Sequence, residues 1–289
     1  MTSHAACAAQ VKAWQGRMEQ ALAERLPATD EEPTRLHAAM RYCVLNGSER
    51  VRPLLLFGTA RAVGLTDADV EAAACAIEFA HAYARVHDDL PALEDDGLHR
   101  GRRTCHEAYD EGTAVLVGDA LQSLAFQLLA SDAALPATPA VRLRLIGLLA
   151  EAIGASGLAG GQAIDVAAQG RPLPVHEIDA MYGRRTVALI RASVLMAAAC
   201  APQAATRLQA ALTAFATPLG LALQIRHELS DVSAGAAHRS PSYAAALGPA
   251  ASRERIGQLH AQALDALEPL GTSADTLRAL AEWLLVRGD

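Results

Sequence analysis

The stretch 78–101, Glu-Phe-Ala-His-Ala-Tyr-Ala-Arg-Val-His-Asp-Asp-Leu-Pro-Ala-Leu-Glu-Asp-Asp-Gly-Leu-His-Arg-Gly, constrains this chain more than any other. An apolar segment of helical spacing runs straight into five carboxylates within nine residues, Asp88, Asp89, Glu94, Asp95 and Asp96. Ile77, His81, Ala84 and Asp88 step by four, three and four, so they share one helical face. From His81 to Asp88 that face rises roughly 10 Å. Leu90 precedes Pro91 and is biased out of the helical region, which ends the helix at the acidic cluster. Carboxylates crowded at a helix C-terminus repel one another and oppose the helix dipole, so they call for a compensating cation. Oxygen-only ligands suit Mg²⁺ or Mn²⁺, with a phosphate as the usual co-ligand. Arg100, Arg102 and Arg103 follow at once and are placed to hold the phosphate itself. An arbitrary acidic run is usually a solvated loop. Here the neighbouring residues point away from that reading.

The rest of the chain predicts helices. Hydrophobic residues make up 52% and aromatics only 4%, with few strand formers. Helical patterns cover 5–26, 34–45, 51–63, 67–90, 113–131, 140–155, 204–232, 250–269 and 274–287. No hairpin signal, alternating strand or internal repeat is evident, which predicts one all-α domain over 1–289, a large helical bundle around a central cavity. Five scattered cysteines without CxxC spacing exclude a disulfide framework or zinc site and fit a reducing cytoplasm. The first ten residues lack the pattern of a signal peptide, and the chain is read as having no apolar run of about 18 residues free of charge, so no membrane span is expected. A net charge of −7 argues against nucleic acid as a partner. Lys12 is the only lysine among 25 Lys and Arg residues.

The string 88–106, Asp-Asp-Leu-Pro-Ala-Leu-Glu-Asp-Asp-Gly-Leu-His-Arg-Gly-Arg-Arg-Thr-Cys-His, resembles the first aspartate-rich motif of trans-isoprenyl diphosphate synthases, the polyprenyl synthetases of the farnesyl and geranyl diphosphate synthase type. The likeness continues through 118–121 and along nearly the whole chain. It implies the isoprenoid synthase fold, with metal held by Asp88, Asp89 and Glu94, a Glu standing where the family has Asp. It implies that His81 and Arg52 contact the diphosphate of isopentenyl diphosphate, with Arg100 as the second of a tandem Arg pair whose first member is His99. Glu49 occupies the position of a diphosphate-binding Lys. A carboxylate about 4 Å from such a group is worth roughly 4 kcal/mol in the wrong direction at a partly wet site, unless it pairs with Arg50 or Arg52 or turns to solvent.

Further along, 160–165 resembles the Gly-Gly-Gln-x-x-Asp stretch, in which paired Gly let a backbone or ligand approach. Arg185, Thr186 and Val187 stand at a Lys-Thr-Gly segment that lines the allylic diphosphate site; Arg185 keeps the charge and Val187 narrows the space. The second aspartate-rich motif, Gln-x-x-Asp-Asp-x-x-Asp, is present as Gln224, His227, Glu228 and Asp231. Gln224, Glu228 and Asp231 step by four and three, leaving two carboxylates on one face as metal candidates. His227 and Glu228 do not make a zinc-protease HExxH, because Asp231 takes the second His position. The stretch 233–241, where the family has a lysine-bearing closing loop, is short and lysine-free.

The resemblance implies Mg²⁺-dependent condensation of an allylic diphosphate with isopentenyl diphosphate. Tyr83, five residues before Asp88, would cap chain growth near three isoprene units, giving a C10–C15 product. A homodimer or a partner subunit is also implied. Two other readings fit the altered positions: an enzyme that ionises an allylic diphosphate without a second substrate, as terpene synthases do, and a non-catalytic regulatory or binding member of the fold.

Overall fold

A helix that is apolar all round is stable only when other helices surround it. Residues 187–199 are such a segment but for Arg191 and Ser193, and they form helix α10 (Val187–Ala199), buried along nearly its whole length. In the computed structural model, which describes residues 3–99, 101–233 and 240–286, α10 packs against α3 (Val51–Ala62), α4 (Asp67–Asp88), α7 (Pro139–Ile153), α9 (Val175–Arg185) and α11 (Pro202–Ser233). Around this centre α6 (Glu111–Ser131) lies along α4, and α1 (Ser3–Arg25), α2 (Thr34–Val44) and α14 (Asp275–Val286) close the side near the termini. The short α5 (Cys105–Ala108) leads into α6, α8 (Leu158–Ala168) abuts α9, and α12 (Tyr243–Leu247) with α13 (Pro249–Asp265) packs on α11. The architecture is the expected all-α helical bundle.

Local chemistry places the ends. The Asp69 carboxylate accepts the Thr66 backbone N–H at 2.8 Å and starts α4. Asp110 accepts the Thr113 N–H at 2.6 Å and starts α6. The helix ends fall within a few residues of the patterns, and α4 stops at Asp88 rather than at residue 90.

Two expectations are corrected. A short antiparallel ladder joins β1 (Leu98–His99) to β2 (Arg102–Arg103), with Leu98 opposite Arg103 and His99 opposite Arg102. Gly101 at φ +75° permits the tight reversal between them. Three stretches are long and apolar enough to cross a membrane by length and composition alone, Glu111–Ser131, Pro139–Ala168 and Leu208–Asp231. The third contains a run without a charged side chain, 208–225. Here that run is the centre of α11, and Leu212, Phe215, Ala216, Leu219 and Ala222 are fully buried against neighbouring helices.

Candidate active site

The acidic end of α4 meets the α9–α10 junction, and a glycine makes this possible. A Cβ on Gly161 of α8 would stand 2.4 Å from the Arg185 backbone nitrogen, so only glycine allows the two backbones to touch. Arg185, the last residue of α9, is thereby delivered to the carboxylates. Its guanidinium is ion-paired with Glu94 and Asp165, and stands 3.7 Å from Asp88. The loop after α4 folds back over the helix end: the Glu94 N–H donates to the Asp88 carbonyl at 3.0 Å, and the Asp96 N–H donates to the Asp89 carbonyl at 3.2 Å. That return brings Glu94 beside Asp88.

Negative charge is under-compensated here. Burial raises the Asp88 carboxyl above its ordinary range, against the pull of Arg185 and Arg85. Asp89 is pushed up to about 6 by burial, opposed by Arg85 and helped by Asp96 and Asp88. Burial, with Asp88, also pushes Asp165 up to about 6 against a polar contact with the Ser240 side chain, and among the described residues Asp165 Oδ1 is enclosed without a hydrogen-bond partner. Among the described residues no three His, Cys, Asp or Glu side chains stand close enough together to grip one metal ion as placed. The carboxylates converge on Arg185 instead. An all-oxygen donor set with surplus charge and an orphaned oxygen nevertheless has the chemistry that a hard divalent cation requires.

A basic wall faces the same helix end. Arg52, on the first turn of α3, and His81, on α4, have no hydrogen-bond or ion-pair partner among the described residues, and Arg52 Nε is enclosed. Burial and Arg85 hold the Arg52 guanidinium down at about 10, opposed by Glu78. Burial, then Arg52 and Arg85, hold the His81 imidazole well below its ordinary value, so it is neutral at pH 7. Arg85 Nη2 donates to Asp89 at 2.9 Å and lies 3.1 Å from His99 Nδ1.

The remaining candidates separate into those brought to the site and those engaged elsewhere. Thr186 Oγ1 donates to Gln224 Oε1 at 2.9 Å, so α9 and α11 present these two side chains together. Val187 packs on Gly220 of α11, whose absent Cβ would lie 3.0 Å from Val187 Cγ2. Glu228 departs from its expected role beside Asp231. It is 2% exposed, and its carboxylate accepts the backbone N–H groups of Tyr243 and Ala244 at 2.8 and 3.4 Å and the Gln224 amide at 3.3 Å. It caps the start of α12, where four backbone donors lack intrahelical acceptors. Asp231, one turn on, pairs with His227 at 3.5 Å.

Glu49 does not pair with Arg50 or Arg52. Its carboxylate takes Arg226 at 3.2 Å, while Arg50 is held by Glu19 and Glu78. Arg102 stacks over Tyr42 at 4.5 Å and Arg103 pairs with Glu107 at 3.2 Å, so neither is directed at the carboxylates. Tyr83 is buried edge-on to His87, with ring centroids 5.9 Å apart. Arg100 and the segment 234–239 of the closing stretch lie outside the described residues.

Two residues of this site were not among the expected ones. Asp165 carried a signal, since it follows the Gly160-Gly161 pair by one helical turn and so sits beside whatever that pair admits. Arg85 carried one too: it is a charge on the face shared by His81 and Asp89, at i+4 and i−4.

Comparison with known proteins accords with this geometry. Residues 33–240 match the family model for polyprenyl synthetase. The farnesyl diphosphate synthase of Haemophilus influenzae is 34% identical over 94% of this chain and 96% of its own length. A probable farnesyl diphosphate synthase of Sinorhizobium fredii is 41% identical over 92% of this chain and 83% of its own. The apo crystal structure of an FPP/GFPP synthase from Zymomonas mobilis superposes with a TM-score of 0.88 at 34% identity, covering 98% of this chain and 99% of that one. With the fold, the acidic helix end and the family match in agreement, the chain belongs to the polyprenyl synthetase family.

Proposed function

We propose that this protein is a short-chain trans-prenyltransferase that condenses an allylic diphosphate with isopentenyl diphosphate to a C10–C15 product. The observation that carries the reading is the pairing of two walls at one end of α4. One is a carboxylate cluster with surplus negative charge, and the other is a group of unpartnered cationic and neutral nitrogen donors. A metal-held diphosphate suits the first and a directly bound diphosphate suits the second.

Asp88, Asp89 and Glu94, with Asp231, would hold Mg²⁺ or Mn²⁺, which when bound neutralises charge on a departing diphosphate. The chain's own residues do the rest. Arg185 supplies a fixed positive charge beside the same leaving group, at no reorganisation cost as the allylic C–O bond breaks. Thr186 and Gln224, bonded to each other, orient polar groups toward the developing cation. Arg52 and neutral His81 hold the second diphosphate so that its double bond meets the cation; a neutral imidazole can donate without adding repulsion. The apolar flank of α4 excludes water that would quench the cation. Tyr83, buried one and a half turns below Asp88, limits chain growth. Exposed Val115 and Leu116 on α6 and Leu143 on α7 support the proposal of a homodimer.

The test is a product assay by mass spectrometry with Mg²⁺ and isopentenyl diphosphate plus dimethylallyl, geranyl or farnesyl diphosphate, and with each allylic diphosphate alone. A new C10 or C15 diphosphate is expected. A hydrocarbon or alcohol from an allylic substrate alone would replace this reading with ionisation without condensation. No turnover from folded protein would leave a binding role.

A further inference from the structure

The basic wall contains one cation to which the family likeness assigns no role. Arg85 lies one helical turn after His81 and one before Asp89, on the same face of α4. Among the described residues only its Nη2 is engaged, with Asp89 at 2.9 Å and His99 at 3.1 Å. Its Nε is enclosed without a hydrogen-bond partner among the described residues, as is Arg52 Nε. The Arg85 charge bears on Arg52 and His81 and also on Arg185, so it lies within electrostatic reach of both walls.

Like charges brought close at a half-buried site are costly unless an anion joins them. Orphaned guanidinium N–H groups in one place recognise an anion with several oxygens, and a diphosphate is such a group. Meanwhile two positions that carry cations in the family carry none of fixed charge here. Glu49 is bound to Arg226, and residue 99 is an imidazole against Arg85.

We propose that Arg85 is a diphosphate-binding residue of the homoallylic substrate site, supplying from α4 the positive charge that positions 49 and 99 do not. Naming that substrate rests on the prenyltransferase reading; the cation cluster by itself calls only for a diphosphate group.

Calorimetric titration of inorganic pyrophosphate into the full chain, in chelator so that no metal bridges, tests this on wild type, Arg85→Gln and Arg85→Lys. Wild type is expected to bind. Arg85→Gln should weaken binding at least tenfold with a shallower salt dependence, and Arg85→Lys should keep most of the affinity. Arg85→Gln binding within twofold of wild type would overturn the proposal. So would an equal loss in Arg85→Lys, which would assign Arg85 only the positioning of Asp89 and His99. If Arg85→Gln does not fold, the Arg85 Nε–H resonance of the wild type is followed instead; a shift on adding pyrophosphate is expected, and its absence counts against the assignment. The two readings fail separately. Pyrophosphate binding that depends on Arg85 without any condensation refutes the prenyltransferase reading and keeps Arg85 as a diphosphate ligand. Condensation with an unchanged KM for isopentenyl diphosphate in Arg85→Gln does the reverse.

Discussion

The Glu49 carboxylate and the Arg226 guanidinium meet at 3.2 Å, tying the loop before α3 to the helix that carries the second acidic stretch. Arg226 also donates to the Leu284 carbonyl at 2.5 Å, so α14 joins the same knot. Both side chains are partly exposed, so the pair is worth about 0.2–1 kcal/mol. Restoring a lysine by Glu49→Lys sets like charges together and should lower stability by a similar amount, without improving KM for isopentenyl diphosphate. Combining it with Arg226→Gln should recover the loss. Denaturant unfolding of the double-mutant cycle measures the coupling; additive effects would mean that the contact contributes nothing.

Arg185 is the counter-charge of the acidic wall when no other cation is present. Arg185→Gln leaves Asp88, Glu94 and Asp165 facing one another, and removing one partner of a buried pair costs about 3–5 kcal/mol. The melting temperature should fall in chelator and recover in part with Mg²⁺, which can take over the charge. A loss that Mg²⁺ does not touch would show that the carboxylates do not bind the ion.

Asp89 gives the pH dependence. Its carboxyl is raised from 3.8 to about 6 in the folded chain. Between these values the folded state binds more protons than the unfolded state, so its stabilising contribution is full below about pH 4 and is lost as pH rises through about 6. At roughly 1.4 kcal/mol per unit the whole effect is up to about 3 kcal/mol. His81 acts oppositely, being depressed by burial, and its contribution is lost as pH falls below its unfolded value. Comparison of wild type with Asp89→Asn cancels that term. In chelator the variant should gain on wild type as pH rises from about 4 to 7, and Mg²⁺ should shrink the gain. A difference independent of pH would sink the assignment.

Gly161→Ala forces a methyl into the Arg185 backbone, with an ideal Cβ 2.4 Å from its nitrogen. Overpacking of this kind costs about 1–3 kcal/mol. Because the displaced residue is Arg185, kcat should fall more than the loss of stability explains, and KM for isopentenyl diphosphate should change little. Equal losses in both parameters would argue for general disruption.

Tyr83→Ala opens the wall below the acidic cluster, next to His87. Products longer than C15 should then accumulate from farnesyl diphosphate, read directly by mass spectrometry. An unchanged product range would move the length limit to another residue.

The sequence by itself determined most of the long helices, their approximate ends and the acidic helix terminus, because apolar period, capping residues and Pro91 act over neighbouring residues; it left α9, the central α10 and the short α12 unmarked. It also singled out Arg185, Thr186 and Gln224, since motif spacing survives in local sequence. It missed the hairpin at 98–103, where the pairing is only two residues long and lacks alternation. Tertiary structure decided the partners. Glu228 and Asp231 share a helical face in sequence, yet the start of α12 lies over one of them and claims it. The sequence offered Glu49 its neighbours Arg50 and Arg52, yet chain packing brought Arg226, 177 residues away, within reach instead. Asp165 was brought to Arg185 the same way, 20 residues apart along the chain, whereas Arg85 meets Asp89 within one helix. Charge and spacing are written along the chain; which unsatisfied donor meets which acceptor is set by helices that cross only after folding.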